Sequence, residues 1–217
     1  MQRHTPGNTR WLPPALPGFA DINRYWDRSR DGFVAKILPG EYYVTRNAEL
    51  IATVLGSCIS ACIRCRATAI GGMNHFMLPQ SRADDDGTAV STATRYGNYA
   101  MEHMINDLLK NGASRKYLEV KIVGGGRVLK QMSDVGQQNI EFVRAYLQAE
   151  GLSVSAEDVG DIYPRKVYYD PRSGKVSVKK LRSLHNNTIF ERENQYRSHI
   201  EIASVGGDVE LFYGAIR

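Results

Sequence analysis

Short stretches of the chain alternate apolar and polar residues, which is the spacing of β-strands with one buried face. The clearest is 117–123, where Leu, Val and Ile alternate with Glu and Lys. Two further stretches, 165–169 and 175–181, flank a loop, residues 170–174, with the composition of a hairpin turn. Five stretches predict strands: 41–45, 117–123, 152–156, 165–169 and 175–181.

A longer apolar run covers residues 50–63 and is rich in β-branched side chains. Gly56 and Ser57 interrupt the run, so it predicts two buried strand pieces that meet at a bend. Cys58 follows that bend directly. Residues 69–78 predict a further strand, which Pro79 ends.

Two stretches have the period of a helix instead. Between residues 97 and 111 apolar side chains recur at intervals of three and four, and Gly112 follows as an end signal. The same spacing recurs between 137 and 150, before Gly151. Together with the strands, these helices predict an α+β fold of layered mixed β-sheets with the helices packed on the outside.

The ends of the chain lack a sustained period. Residues 1–32 contain scattered Pro and polar positions, and they predict a flexible N-terminal extension. The ordered domain is expected over residues 33–182. Residues 183–217 are mostly polar and predict a C-terminal extension whose structure the pattern leaves open.

Composition narrows the class of protein. Of the 217 residues, 42% are hydrophobic and 24% charged, which excludes collagen-like, disordered and coiled-coil chains. No apolar run is long enough to predict a membrane span, and the N-terminal residues lack the unbroken apolar run of a signal peptide. The three cysteines fit no disulfide framework, so we expect a cytoplasmic protein. A net charge of +5 does not predict a dedicated nucleic-acid surface.

Cys58 and His75 are the strongest candidates for chemistry. The small pair before Cys58 allows the thiol to project from a bend while backbone N–H groups stay free. Adjacent antiparallel strands would bring the His75 imidazole to the thiol, and an imidazolium would lower the pKa of the thiol. A buried core cysteine and a structural histidine are the alternative interpretation of the same residues.

A zinc site is a second alternative, because Cys62 and Cys65 have C-x-x-C spacing and Cys58 and His75 could complete the ligand set. In one extended strand Cys58 and Cys62 would lie about 13 Å apart, too far to share one ion. This spacing favours Cys62 as a small core residue. The three glycines at 124–126 lack the spacing of a phosphate-binding loop and predict a structural turn.

Several strings of residues, in order along the chain, resemble the CheD family, the receptor glutamine deamidases of bacterial chemotaxis. The resemblance covers about residues 33–181. The strings that carry it are LGSC at 55–58, GGMNHFMLP at 71–79, RYGNYAME at 95–102, GGGRV at 124–128, NIEFV at 139–143 and PRKV at 164–167.

The resemblance implies a protein-glutamine deamidase with a Cys/His/Thr site and no metal or other cofactor. Cys58 would be the nucleophile, His75 the general acid and base, and Thr53, or its neighbour Ala52, the residue that orients the imidazole. The N–H groups of Cys58 and the bend before it are candidates for the oxyanion hole.

The substrates that the resemblance implies are glutamines on the cytoplasmic helices of methyl-accepting chemoreceptors. It also implies a CheC-type phosphatase as a partner. A non-catalytic module that docks on receptor helices or on that phosphatase is the alternative function. We expect neither nucleic-acid binding nor membrane insertion.

Overall fold

The computed structural model of the chain describes residues 11–79, 92–128, 135–182 and 187–202. Within these residues the chain forms ten strands and three α-helices. The strands are β1 (Asn23–Asp27), β2 (Gly32–Lys36), β3 (Tyr42–Thr45), β4 (Glu49–Leu55), β5 (Ile59–Cys65), β6 (Gly71–Asn74), β7 (Leu118–Gly124), β8 (Val154–Val159), β9 (Arg165–Asp170) and β10 (Lys175–Lys180). The helices are α1 (Thr92–Lys110), α2 (Val135–Ala149) and α3 (Asn187–Ile202).

The strands form two five-stranded sheets. The first has the order β1-β2-β4-β9-β10 and the second the order β3-β6-β5-β7-β8. Neighbouring strands are antiparallel except for the parallel pairs β2/β4 and β7/β8. The predicted α+β class with layered mixed sheets is confirmed, and β9 and β10 form the hairpin that the sequence predicted.

One buried core joins the two sheets and the helices. Ile51 and Val167 contribute to it from the first sheet, and Ile63 contributes from the second. The helix α1 packs on β3, β5 and β6, while α2 packs on β5. The apolar faces of both helices are buried against the second sheet, Met104 and Val143 among them, as their period of three and four predicted.

The bend after β4 has a larger role than the sequence indicated. β4 belongs to the first sheet and β5 to the second, so residues 56–58 carry the chain from one sheet to the other. The predicted division of the apolar run into two strands is confirmed. A side chain at this crossing lies between the sheets, within reach of residues from both.

The folded part begins earlier than the predicted boundary at residue 33. β1 lies inside the predicted N-terminal extension and pairs antiparallel with β2. Phe19 is buried and packs edge-on against Tyr42 and Tyr43, with ring centroids 5.3 and 5.4 Å apart. The sequence pattern of β1 was a weak indicator of a strand, because β1 has only five residues and none of them is fully buried.

The predicted C-terminal extension contains a helix, α3, over residues 187–202. Residues 1–10, 183–186 and 203–217, which complete the two predicted extensions, lie outside the described residues. None of the helices in the described ranges is long and apolar enough to cross a membrane.

Candidate active site

Cys58 lies at the crossing between the sheets, one residue before β5 begins. Its side chain is fully buried. The backbone at the bend must allow close approach of another group, because a Cβ at Gly56 would lie 2.6 Å from a carboxylate oxygen of Glu193. The absence of a side chain at Gly56 therefore leaves room for the carboxylate that packs against the bend.

His75 lies beside Cys58 because β5 and β6 pair antiparallel. This pairing continues in a bridge between Ile59 and Phe76, the residues that follow Cys58 and His75. A ring nitrogen of His75 and the Sγ atom of Cys58 lie within 4.8 Å of each other. The thiol and the imidazole thus meet across antiparallel strands, as the sequence predicted.

Thr53, on β4 of the other sheet, holds the imidazole. Its Oγ1 atom lies 2.7 Å from His75 Nδ1 and 2.8 Å from the carbonyl oxygen of Ile37, to which the hydroxyl donates. A hydroxyl has one hydrogen, so Thr53 accepts a hydrogen bond from Nδ1–H. The neutral ring is therefore the tautomer whose Nε2 carries the lone pair.

The Nε2 atom of His75 has no hydrogen-bond partner within the ranges that the structure describes. It is therefore available to accept a proton from the neighbouring thiol. Ala52, the alternative to Thr53, packs instead in a separate small cluster with Val34 and Tyr168.

Three successive backbone N–H groups, those of Gly56, Ser57 and Cys58, converge on one point beside the thiol. We call them the N–H cradle. The carbonyl oxygen of each of these residues accepts a hydrogen bond from a group elsewhere in the fold, and two of these bonds fix the peptide planes that carry the N–H groups of Ser57 and Cys58. These bonds run from Gly126 N–H to Gly56 O (2.8 Å), from Asn139 Nδ2 to Ser57 O (2.9 Å) and from Gly125 N–H to Cys58 O (2.7 Å).

The carboxylate of Glu193, on α3, occupies the N–H cradle. Oε1 accepts hydrogen bonds from the N–H groups of Gly56 (2.8 Å) and Cys58 (3.1 Å). Oε2 accepts from the N–H and the hydroxyl of Ser57, at 2.8 and 2.7 Å. Four donors therefore surround one carboxylate, which is the way an oxyanion hole binds negative charge.

The three glycines at 124–126 form a turn that supports the cradle from behind. Gly124 has φ +123°, and a Cβ there would lie 2.4 Å from the carbonyl oxygen of Cys58. The predicted structural role of these glycines is confirmed. Arg165 is fully buried beneath the turn, and its Nη1 donates to the carbonyl oxygens of Gly124 (2.6 Å) and Asp158 (3.0 Å).

Sequence reasoning missed three residues that build this site: Asn139, Arg165 and Glu193. Asn139 lies on the buried face of α2, where its Oδ1 atom accepts from Leu78 N–H (2.8 Å) while Nδ2 holds Ser57. A polar amide inside an apolar helical stripe was a usable signal. Glu193 had a weaker one, since it lies among Ile189, Tyr196 and Ile200 at helical spacing in a mostly polar segment.

The environment keeps both reacting groups uncharged when Glu193 is in place. Burial, and then the Glu193 carboxylate, raise the pKa of the Cys58 thiol well above its usual range. Burial lowers the pKa of His75 to about 4, although the Glu193 charge acts in the opposite direction. At neutral pH the pair is therefore a thiol and a neutral imidazole.

The residues that could hold a metal ion differ from those the sequence suggested. Donor atoms of Cys58, His75 and Glu193 lie within 4.8 Å of one another, and zinc accepts ligands of all three types. Cys62 and Cys65 lie along β5, away from this cluster, and both are buried. The interpretation of Cys62 as a small core residue is confirmed. The Glu193 oxygens are directed at the N–H cradle.

The fold and the site together define a class of protein. This α+β domain brings a buried thiol, an imidazole and an N–H cradle to one point. These are the groups that cysteine-dependent amidohydrolases use. A family model, described as CheD chemotactic sensory transduction, matches residues 77–180. The chain belongs to the CheD family.

Three curated relatives agree with this assignment, and each is called a probable chemoreceptor glutamine deamidase CheD. The chain is 56% identical to the protein of Hahella chejuensis over 92% of its own length and 95% of the relative's. It is 53% identical to that of Halorhodospira halophila over 93% and 94%, and 58% identical to that of Herminiimonas arsenicoxydans over 88% and 94%.

Proposed function

We propose that this protein deamidates glutamine side chains of methyl-accepting chemoreceptors, with Cys58 as the nucleophile and His75 as the general acid and base. The observation that carries the proposal is the N–H cradle beside the Cys58–His75 pair, with a side-chain carboxylate bound in it. A glutamate carboxylate is the product group of glutamine deamidation. The names of the curated relatives support the same activity.

The first half of the reaction forms a thioester. The Cys58 proton passes to Nε2 of His75, and the sulfur attacks the amide carbon of the substrate glutamine. As the carbon–sulfur bond forms, the amide oxygen becomes negatively charged and accepts hydrogen bonds from the N–H cradle. His75 then gives its proton to the amide nitrogen, the carbon–nitrogen bond breaks and ammonia leaves.

The second half releases the product. Water attacks the thioester carbon while Nε2 of His75 accepts a proton, and the same oxyanion forms in the N–H cradle. The carbon–sulfur bond then breaks and the thiol recovers its proton from His75. Thr53 serves both halves, because its bond to Nδ1 keeps Nε2 directed at the reacting atoms. The net reaction converts an amide and water into a carboxylate and ammonium.

The test is conversion of glutamines in chemoreceptor cytoplasmic fragments, measured by peptide mass spectrometry. Cys58→Ala and His75→Ala should each lower the rate at least about a hundredfold, because each removes a group that takes part in bond formation or proton transfer. Cys62→Ala is the matched control, since it deletes a buried thiol on β5, four residues after Cys58, and should keep activity. Wild-type rates in Cys58→Ala would disprove the nucleophile.

A binding module would give a different result in the same experiment. Such a protein would bind the receptor fragment and convert no glutamine, whether or not Cys58 is present. A CheC-type phosphatase partner, a cytoplasmic location and the absence of nucleic-acid binding stay predictions from the sequence. Co-elution of the full chain with a purified CheC-type phosphatase would test the first of them.

A further inference from the structure

Helix α3 places one face against the domain, and that face contains Glu193. Ile189, Glu193, Tyr196 and Ile200 recur at intervals of four, three and four, which places them on one side of a helix. Glu193 and Ile200 are almost completely buried. Neighbouring positions such as Glu191 are exposed.

Two further contacts fix where α3 lies. The ring of Tyr196 packs on the turn before β3, where a Cβ at Gly40 would lie 2.9 Å from it. The hydroxyl of Tyr196 contacts the hydroxyl of Tyr96 on α1. Beside Glu193, Ile189 lines a narrow cleft that reaches His75. The helix therefore lies directly over the candidate active site.

A carboxylate in the middle of an apolar helical face is unfavourable unless it finds donors. Here the donors are the three N–H groups and the hydroxyl described above, and they are the groups expected to bind the amide oxygen during catalysis. Glu193 is also chemically identical to the product of the proposed reaction, a glutamate side chain on a helix.

We propose that α3 is an intramolecular product mimic: Glu193 occupies the position of a converted glutamine, and the groove beneath α3 is the groove in which the substrate helix docks. The inference rests on the proposed function. With α3 in place, Cys58 and His75 are 0% and 1% exposed, so a substrate side chain reaches them only after α3 leaves. The site is therefore closed by its own chain.

The mimicry also predicts what the groove recognises. A substrate helix that docks as α3 does would present its glutamine at the position of Glu193, with an apolar residue four positions before it, an aromatic residue three after it and an apolar residue seven after it. These positions correspond to Ile189, Tyr196 and Ile200.

The test makes the chain its own substrate. In Glu193→Gln, the new amide should enter the N–H cradle beside Cys58 and be converted to glutamate by the steps given above, with ammonia released and water consumed. Peptide mass spectrometry of the purified full chain measures this conversion at residue 193. The double variant Glu193→Gln with Cys58→Ala should keep its glutamine.

Glu191→Gln is the matched control, because residue 191 lies on the exposed face of the same helix and its glutamine should persist. Persistence of the glutamine at position 193 in an enzyme that converts receptor glutamines would overturn the mimicry and leave the proposed function intact. Conversion at 191 and 193 alike would also overturn it. Loss of both self-conversion and receptor conversion would overturn the two proposals together.

A second experiment measures directly whether α3 closes the site. Glu193→Ala removes the group that holds α3 on the cradle, so iodoacetamide should label Cys58 about tenfold faster than in the wild type. Conversion of receptor fragments should rise in parallel. Glu191→Ala should label at the wild-type rate. Equal labelling rates for Cys58 in Glu193→Ala and the wild type would show that α3 does not close the site.

Discussion

The imidazole of His75 is held by a hydroxyl from the opposite sheet. Thr53 donates to the carbonyl oxygen of Ile37, and this bond is what makes its oxygen an acceptor for Nδ1–H. One backbone carbonyl thereby decides which nitrogen of His75 can accept a proton. Glu193 does not take this orienting role, since its oxygens are bound by the N–H cradle.

Thr53→Val keeps the shape of the side chain and removes the acceptor, so the His75 ring loses its fixed tautomer. We expect kcat for receptor deamidation to fall at least about tenfold, with KM little changed, because Thr53 orients a reacting group without binding substrate. Thr53→Ser should restore most of kcat. If kcat fell by the same factor in Thr53→Val and Thr53→Ser, the role of Thr53 would instead be packing.

Among the elements, the turn after β7 matters most for the site. Gly125 and Gly126 donate to the carbonyl oxygens of Cys58 and Gly56, and Arg165 holds the carbonyl of Gly124 from the buried side. The bend at 56–58 has little structure of its own. Its shape is set by this turn and by Asn139 of α2.

Gly124→Ala should disrupt this support. Its φ of +123° is one that only glycine adopts readily, and the added Cβ would meet the carbonyl oxygen of Cys58 at 2.4 Å. We expect the free energy of unfolding, measured with urea, to fall by about 3 kcal/mol or more, and deamidation to be lost.

Gly151→Ala is the control for the turn. Gly151 also has a positive φ, +66°, but a Cβ there would meet nothing within 4 Å. This variant should lose only the cost of the backbone conformation, about 1 kcal/mol, and keep its activity. Equal losses of stability in the two variants would mean that the contact with Cys58 has no separate effect.

At the scale of the whole molecule, burial of the site between two sheets and α3 links its chemistry to stability. His75 is uncharged in the folded protein down to low pH, because burial lowers its pKa to about 4. In the unfolded chain an imidazole binds a proton near a pH of about 6.5. Between these two pH values the unfolded state therefore binds more protons than the folded state.

The free energy of unfolding should consequently fall as the pH falls from about 6.5 to about 4, by up to about 3 kcal/mol from His75 alone. His75→Gln should show a shallower decline than the wild type over this range in urea titrations at several pH values. His103→Gln, at an exposed position on α1, should follow the wild type. Parallel curves for His75→Gln and the wild type would contradict the buried neutral imidazole.

The local pattern of the chain was enough to predict much of the fold and two site residues. The strand and helix periods show which side chains are buried, and such a period can be detected within a short segment of the sequence. The break at Gly56-Ser57, the strands on either side and the meeting of Cys58 with His75 followed from such patterns. The family resemblance added Thr53.

The tertiary structure alone decided which distant groups complete the site. Asn139 and Glu193 bind the bend at 56–58 from 82 and 137 residues away in sequence, and Arg165 supports the turn behind it from 41 residues away. Each is a polar group whose contribution depends on donors and acceptors placed by packing of separate elements. A period of 2 or 3.6 residues predicts which face of a strand or helix is buried, but not which distant polar groups pair. The N–H cradle and the carboxylate bound in it therefore depend on how the two sheets and α3 pack together.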